Sequence, residues 1–89
     1  MTLKEIRTQI TIIDHQILKK LNQRMYLCLQ TLKYKSKAKD SNRENQVLEK
    51  IKEETKSLDY VRKKFAKKIF KKIIRESRGI QKMKQEEKP

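Results

Sequence analysis

Residues 3–37 read LKEIRTQITIIDHQILKKLNQRMYLCLQTLKYKSK, and this stretch decides the fold. Its apolar residues Leu3, Ile6, Ile10, Ile13, Ile17, Leu21, Met25, Leu29 and Leu32 recur every three or four positions, the period of one helix face. At 1.5 Å per residue, about 35 residues form a rod on the order of 50 Å long. The rest of the 89-residue chain is too short to cover such a rod. A second copy of the chain is the natural cover, so the spacing predicts a dimer.

Working outward, a polar break follows at Ser36-Lys37-Ala38-Lys39-Asp40. Ser41-Asn42-Arg43-Glu44 has the spacing of a capping box, a Ser that caps amide donors with a Glu three residues later. It predicts a second helix from Ser41 to about Lys56, with Val47, Leu48 and Ile51 as a short apolar face. Ser57-Leu58-Asp59 reads as a turn, with Ser57 or Asp59 capping a third helix over about Tyr60 to Met83. That helix is two-faced: Phe65, Ala66, Ile69, Phe70, Ile73 and Ile74 lie on one side, and lysine pairs from Lys63 to Lys72 on the other. The chain divides into one helical domain, residues 1–85, and a charged tail, 86–89, with fraying expected from Lys82 onward.

Composition supports an all-α class. One Gly and one Pro leave almost nothing for the tight turns of a sandwich or barrel. One cysteine, Cys28, excludes an intramolecular disulfide framework and points to a reducing compartment. With His15 as the lone histidine, a zinc site lacks ligands, and no metal is expected. No apolar run reaches the roughly 20 residues that span a bilayer. The N-terminus is amphipathic rather than signal-like, so the expected location is the cytoplasm. The 25 Lys+Arg exceed the 11 Asp+Glu, for a net charge of +14, which raises nucleic-acid binding as a second functional class. Against it, the excess is mostly Lys rather than Arg and the aromatics are sparse, so no stacking or base-reading surface emerges. A Lys-rich solvated face that keeps a small dimer soluble accounts for the charge.

Polar residues interrupt the apolar seams. Alternating steps of four and three along the first helix give Leu3, Arg7, Ile10, Asp14, Ile17, Leu21, Arg24, Cys28, Thr31 and Lys35. On the third helix Phe70 and Ile74 are followed by Ser77 and Gln81. A stripe that drifts around a straight helix would leave some of these solvated, with stems covering apolar surface. A buried cation instead needs a partner, either Asp14 or an anionic ligand. A ligand with two negative groups explains Arg7, Arg24, Lys35, Ser77 and Gln81 together.

These residues, in this order, resemble the all-helical chorismate mutases. The resemblance runs from Leu3-x-x-Ile6-Arg7-x-x-Ile10-x-x-Ile13-Asp14-x-x-Ile17-Leu18-x-x-Leu21-x-x-Arg24-Met25 through Tyr34-Lys35 and Asp40-x-x-Arg43-Glu44 to Ile73-Ile74-x-x-Ser77-x-x-x-Gln81. It implies three helices per chain, two chains intertwined as a six-helix homodimer, and cofactor-free Claisen rearrangement of chorismate to prephenate in the phenylalanine and tyrosine branch of aromatic amino acid synthesis. It further implies that Arg7 reaches the site of the second chain, while Arg24 and Arg43 bind substrate carboxylates within their own. Lys35 and Gln81 correspond to the pair on the ether oxygen. Glu44 and the backbone near Asp40 correspond to the groups on the ring hydroxyl, and Ser77 to a ring-carboxylate contact.

The chemistry suits such residues. An intramolecular rearrangement needs no nucleophile or base, only a fixed reactive conformer and donors aimed at the oxygen on which charge grows. Arg matches carboxylates through its planar fork. One departure stands out: the connection between Lys35 and Asp40 is short and Lys-rich, where the family usually has a longer one with Gly and Pro. The related isochorismate pyruvate lyases generally lack the Arg-Glu pair and the Ser, so Arg43-Glu44 and Ser77 favour the mutase. A helical dimer without useful activity is the remaining alternative, supported by the short connection.

Overall fold

The computed structural model describes residues 1–35 and 37–87. It contains three α-helices, α1 (Leu3–Gln30), α2 (Ser41–Thr55) and α3 (Lys63–Glu86), with a single 3-10 turn, Thr31–Lys33, after α1. No strand occurs among the described residues. The all-helical expectation holds; several boundaries move.

α1 opens on a capping box absent from the sequence reading. Thr2 Oγ1 accepts from the Glu5 amide at 3.1 Å, and the Thr2 amide donates to Glu5 Oε2 at 3.4 Å. The helix stops at Gln30, short of the expected end near Lys37. There the Thr31 hydroxyl donates back to the Cys28 carbonyl at 2.6 Å, and the Tyr34 and Lys35 amides both converge on the Thr31 carbonyl. A β-branched hydroxyl residue that bonds its own preceding turn tightens the helix into a 3-10 turn and ends it. Ser36, the first residue of the expected polar break, lies outside the described residues.

At α2 the cap is Asp40, not Ser41. The Asp40 carboxylate accepts from the Arg43 amide at 3.1 Å, and Ser41 becomes the first helical residue. Glu44 is thereby released from the expected capping box. α2 ends at Thr55, where Ser57 Oγ donates to the Glu54 carbonyl instead of capping the next helix. α3 starts at Lys63, three residues later than expected, and its N-cap Arg62 makes no side-chain capping bond. It remains helical through Glu86, beyond the Lys82 point where fraying was expected. Of the 86–89 tail, Lys88 and Pro89 lie outside the described residues.

α2 and α3 pack along much of their lengths, and α3 meets only the C-terminal part of α1. The buried set is small: Ala38, Ala66 and Ile74 among apolar residues, with Thr55, Ser77 and Gln81 among polar ones. None of α1 is buried, and Leu3, Ile6, Ile10, Ile13 and Ile17 stand exposed. The radius of gyration is 16.2 Å, against about 12 Å for a compact chain of this length. The accessible surface is 8092 Å², against roughly 5,500 Å² for a compact monomer of this mass. One chain therefore leaves the apolar face of its longest helix uncovered.

Candidate active site

Ser77 and Gln81 sit one turn apart on α3, so their side chains leave the same face of the helix. They are 6% and 3% exposed. Polar groups this buried require partners. Both find them on α1. Arg24 Nη1 donates to Ser77 Oγ at 2.8 Å, and the Ser77 hydroxyl in turn donates to the Ile73 carbonyl at 2.8 Å. The same guanidinium nitrogen lies 3.6 Å from Cys28 Sγ. Gln81 Nε2 donates to the Cys28 carbonyl at 2.7 Å and to Thr31 Oγ1 at 3.1 Å. The hydroxyl that ends α1 thus also receives α3.

These contacts form one wall of a cavity of about 280 Å³ bounded by the end of α1, the 31–40 connection, the start of α2 and the second half of α3. Lys35 reaches it across the short connection, with Nζ donating to the Ala38 carbonyl at 2.9 Å. Asp40, the N-cap of α2, and Arg43 and Glu44 in its first turn also line it. Leu27, Val47 and Ile74 supply apolar surface.

Seven of the eight residues singled out from the sequence, Arg24, Lys35, Asp40, Arg43, Glu44, Ser77 and Gln81, therefore line one cavity. The eighth, Arg7, does not. It lies seventeen positions before Arg24 on the same helix, about 25 Å away along the axis, and is exposed. Asp14, the other conceivable partner for the seam cations, is also exposed on that free part of α1.

Three lining residues that carry a polar or sulfur group, Cys28, Thr31 and Arg78, received no role from the sequence. Cys28 and Thr31 stood on the polar seam, but their use of backbone and hydroxyl oxygens to receive Gln81 was not visible there. Arg78 was missed outright. Its Nε lies 3.4 Å from Glu44 Oε2, the two side chains being 33% and 20% exposed. Its spacing from Ile74 and Gln81 would have placed it on the same side of α3.

The lining carries four cationic side chains, Arg24, Lys35, Arg43 and Arg78, against the carboxylates Asp40 and Glu44. A partly enclosed site with a surplus of positive charge favours an anion that carries more than one negative group. Donors dominate: guanidinium, ammonium and carboxamide groups face a space with apolar walls, an arrangement that can hold carboxylates and polarise an oxygen between them. Among the described residues, no group of three or more His, Cys, Asp or Glu is placed to hold a metal ion. None of the helices is long and apolar enough to cross a membrane.

The family model for chorismate mutase type II matches residues 6–82, most of the chain. The chain belongs to the chorismate mutase type II family. Comparison with curated proteins and with solved structures finds no match. The match covers all of α2 and most of α1 and α3 of this mutase, and it includes every residue of the cavity wall. It makes the protein an isomerase, with chorismate as the substrate that membership implies. The short Lys-rich connection, where the sequence departs from the family pattern, still delivers Lys35 and Asp40 to the same cavity.

Proposed function

We propose that this mutase converts chorismate to prephenate by a cofactor-free Claisen rearrangement, in the branch that leads to phenylalanine and tyrosine, as a homodimer of the cytoplasm. The single observation that carries this reading is the convergence of Arg24, Lys35, Arg43, Glu44, Ser77 and Gln81 on one cation-rich cavity.

In this reading Arg24 and Arg43 take the substrate carboxylates. Ser77 fixes Arg24 through its 2.8 Å bond, leaving the rest of the guanidinium fork for the ligand. Lys35 gives one of its three protons to the Ala38 carbonyl and keeps the others for the ether oxygen. Gln81 exchanges its longer bond, the 3.1 Å contact with Thr31, for that same oxygen. As the C–O bond breaks, negative charge grows between these donors, and their fixed positions lower the barrier. Glu44 accepts the ring hydroxyl, with the backbone at Asp40 beside it.

The homodimer accounts for the uncovered helix. The surface in excess of a compact monomer is about 2,600 Å², more than a standard protein interface buries in total. A second copy laid along α1 covers Leu3, Ile6, Ile10, Ile13 and Ile17 and carries Arg7 toward the other chain's cavity. The test is direct: purified protein is mixed with chorismate, absorbance loss is followed, and the product is identified. Prephenate formation well above the uncatalysed rate supports the reading. No acceleration, or turnover of isochorismate alone with release of pyruvate, sinks it.

A further inference from the structure

Glu44 presents a difficulty in a site that takes a dicarboxylate. An ionised carboxylate on the cavity wall repels such a ligand, and in a partly enclosed space the repulsion is weakly screened. Across the α2–α3 contact lies a side chain with no role assigned to it so far. Arg78 places Nε 3.4 Å from Glu44 Oε2. That nitrogen is fully buried, and it forms no hydrogen bond. A buried donor beside a carboxylate, close enough for ion pairing and not aligned for a hydrogen bond, is costly to leave so unless the arrangement serves another end.

We propose that Arg78 is a positioning residue that neutralises Glu44 and holds its carboxylate plane, so that a dianionic substrate can enter and donate its hydroxyl to Glu44. The proposal rests on the function proposed above. An Nε contact fixes one carboxylate oxygen and leaves the other to accept a hydroxyl proton. The 3.4 Å separation closes to a charge-assisted bond after a small rotation, which the arrival of a ligand at Glu44 can supply. Helix geometry makes the placement firm: Arg78 follows Ser77 directly and stands one turn after Ile74, so the backbone that fixes the Arg24 partner also fixes Arg78.

The role is carried through Glu44, and a double-mutant cycle isolates it. Wild type, R78M, R78K, E44Q and the R78M/E44Q double variant are assayed with chorismate as full chains, with helix content checked by circular dichroism. R78M should raise KM about tenfold while kcat stays within about threefold, because ground-state repulsion is what it uncovers. R78K, which restores a point charge, should bring KM back to within about threefold of wild type. In the E44Q background, with the repelling charge gone, R78M should add less than about twofold. A KM for R78M within twofold of wild type overturns the proposal, and so does an undiminished loss in the E44Q background, which would mark direct substrate contact or a purely structural part. If R78M does not fold, R78Q is read by the same criteria. A wild-type chain that leaves chorismate unchanged would instead overturn the proposed function, and this role with it.

Discussion

Gln81 on α3 donates to the carbonyl of Cys28 on α1 at 2.7 Å, joining the end of the long helix to the innermost part of the cavity. The bond sets the direction of the whole amide. A carbonyl only accepts, so the Gln81 NH2 group must face α1, and its second proton reaches Thr31 Oγ1.

That polarity makes Gln81→Glu a sensitive probe. The introduced carboxyl would stand at a 3% exposed position against acceptors, so its folded pKa rises above the unfolded value. Stability is then fully present below the ordinary carboxyl pKa and is lost as pH rises through the raised folded value. Activity follows the same course, because only the protonated form offers a donor. Both Tm and kcat of this variant should increase from neutral toward mildly acid pH while wild type changes little. A flat kcat profile would show that Gln81 does not address the reacting oxygen.

Lys35→Ala should lower kcat by on the order of 10²-fold, as removal of an oxyanion donor does, with a smaller effect on KM. Gln81→Ala should cost less, since a neutral amide is the weaker donor. Steady-state kinetics on both variants decides the point. Near-full kcat in Lys35→Ala would mean that the bond to the Ala38 carbonyl is its main purpose.

Arg24→Ala removes a part-buried charged donor and should reduce kcat/KM by about 10²-fold, in line with roughly 2–3 kcal/mol for a hydrogen bond to a charged group. Lys64→Ala and Lys68→Ala change exposed charges on the far face of α3. At moderate salt they should stay within a few-fold of wild type. Equal losses in all three would show that the overall field, rather than the cavity, captures the substrate.

Arg7→Ala and Arg24→Ala should each be severely impaired alone, yet regain activity when mixed and refolded together, since one of the two sites in a mixed dimer then receives both arginines. Heterodimers that form without activity would place Arg7 outside catalysis.

Ile10→Asp and Ile13→Asp should abolish association and with it most helix content, because a charge buried along the α1 seam is strongly disfavoured. Light scattering of wild type at micromolar concentration should give the dimer mass. A well-folded monomer would contradict the coupled assembly.

The sequence was most legible where polar residues broke an apolar period. Arg24, Ser77 and Gln81 could not be buried without partners, and they turned out to satisfy one another or the end of α1. Helix ends were harder. Asp40 and Ser41 are adjacent and both competent to cap, and only the turn that presents the Arg43 amide to Asp40 selects between them. The apolar period runs on through Leu32, while the hydroxyl of Thr31 ends α1 by a local bond that periodicity does not register. Arg78 was hidden for a different reason. Its meaning depends on Glu44, thirty-four positions earlier, and only the packing of α2 on α3 brings the two together.

The exposed first two-thirds of α1 has a consequence for how assembly can be measured. Every residue from Leu3 to Lys20 is exposed in its own chain, and most helical stability in proteins comes from packing of an amphipathic face rather than from propensity. Backbone amides from Ile6 to Leu18 should therefore exchange with solvent deuterium quickly in an isolated chain and slowly in an associated one. Their exchange rates, followed across a dilution series, would yield the dissociation constant from the unlabelled protein itself.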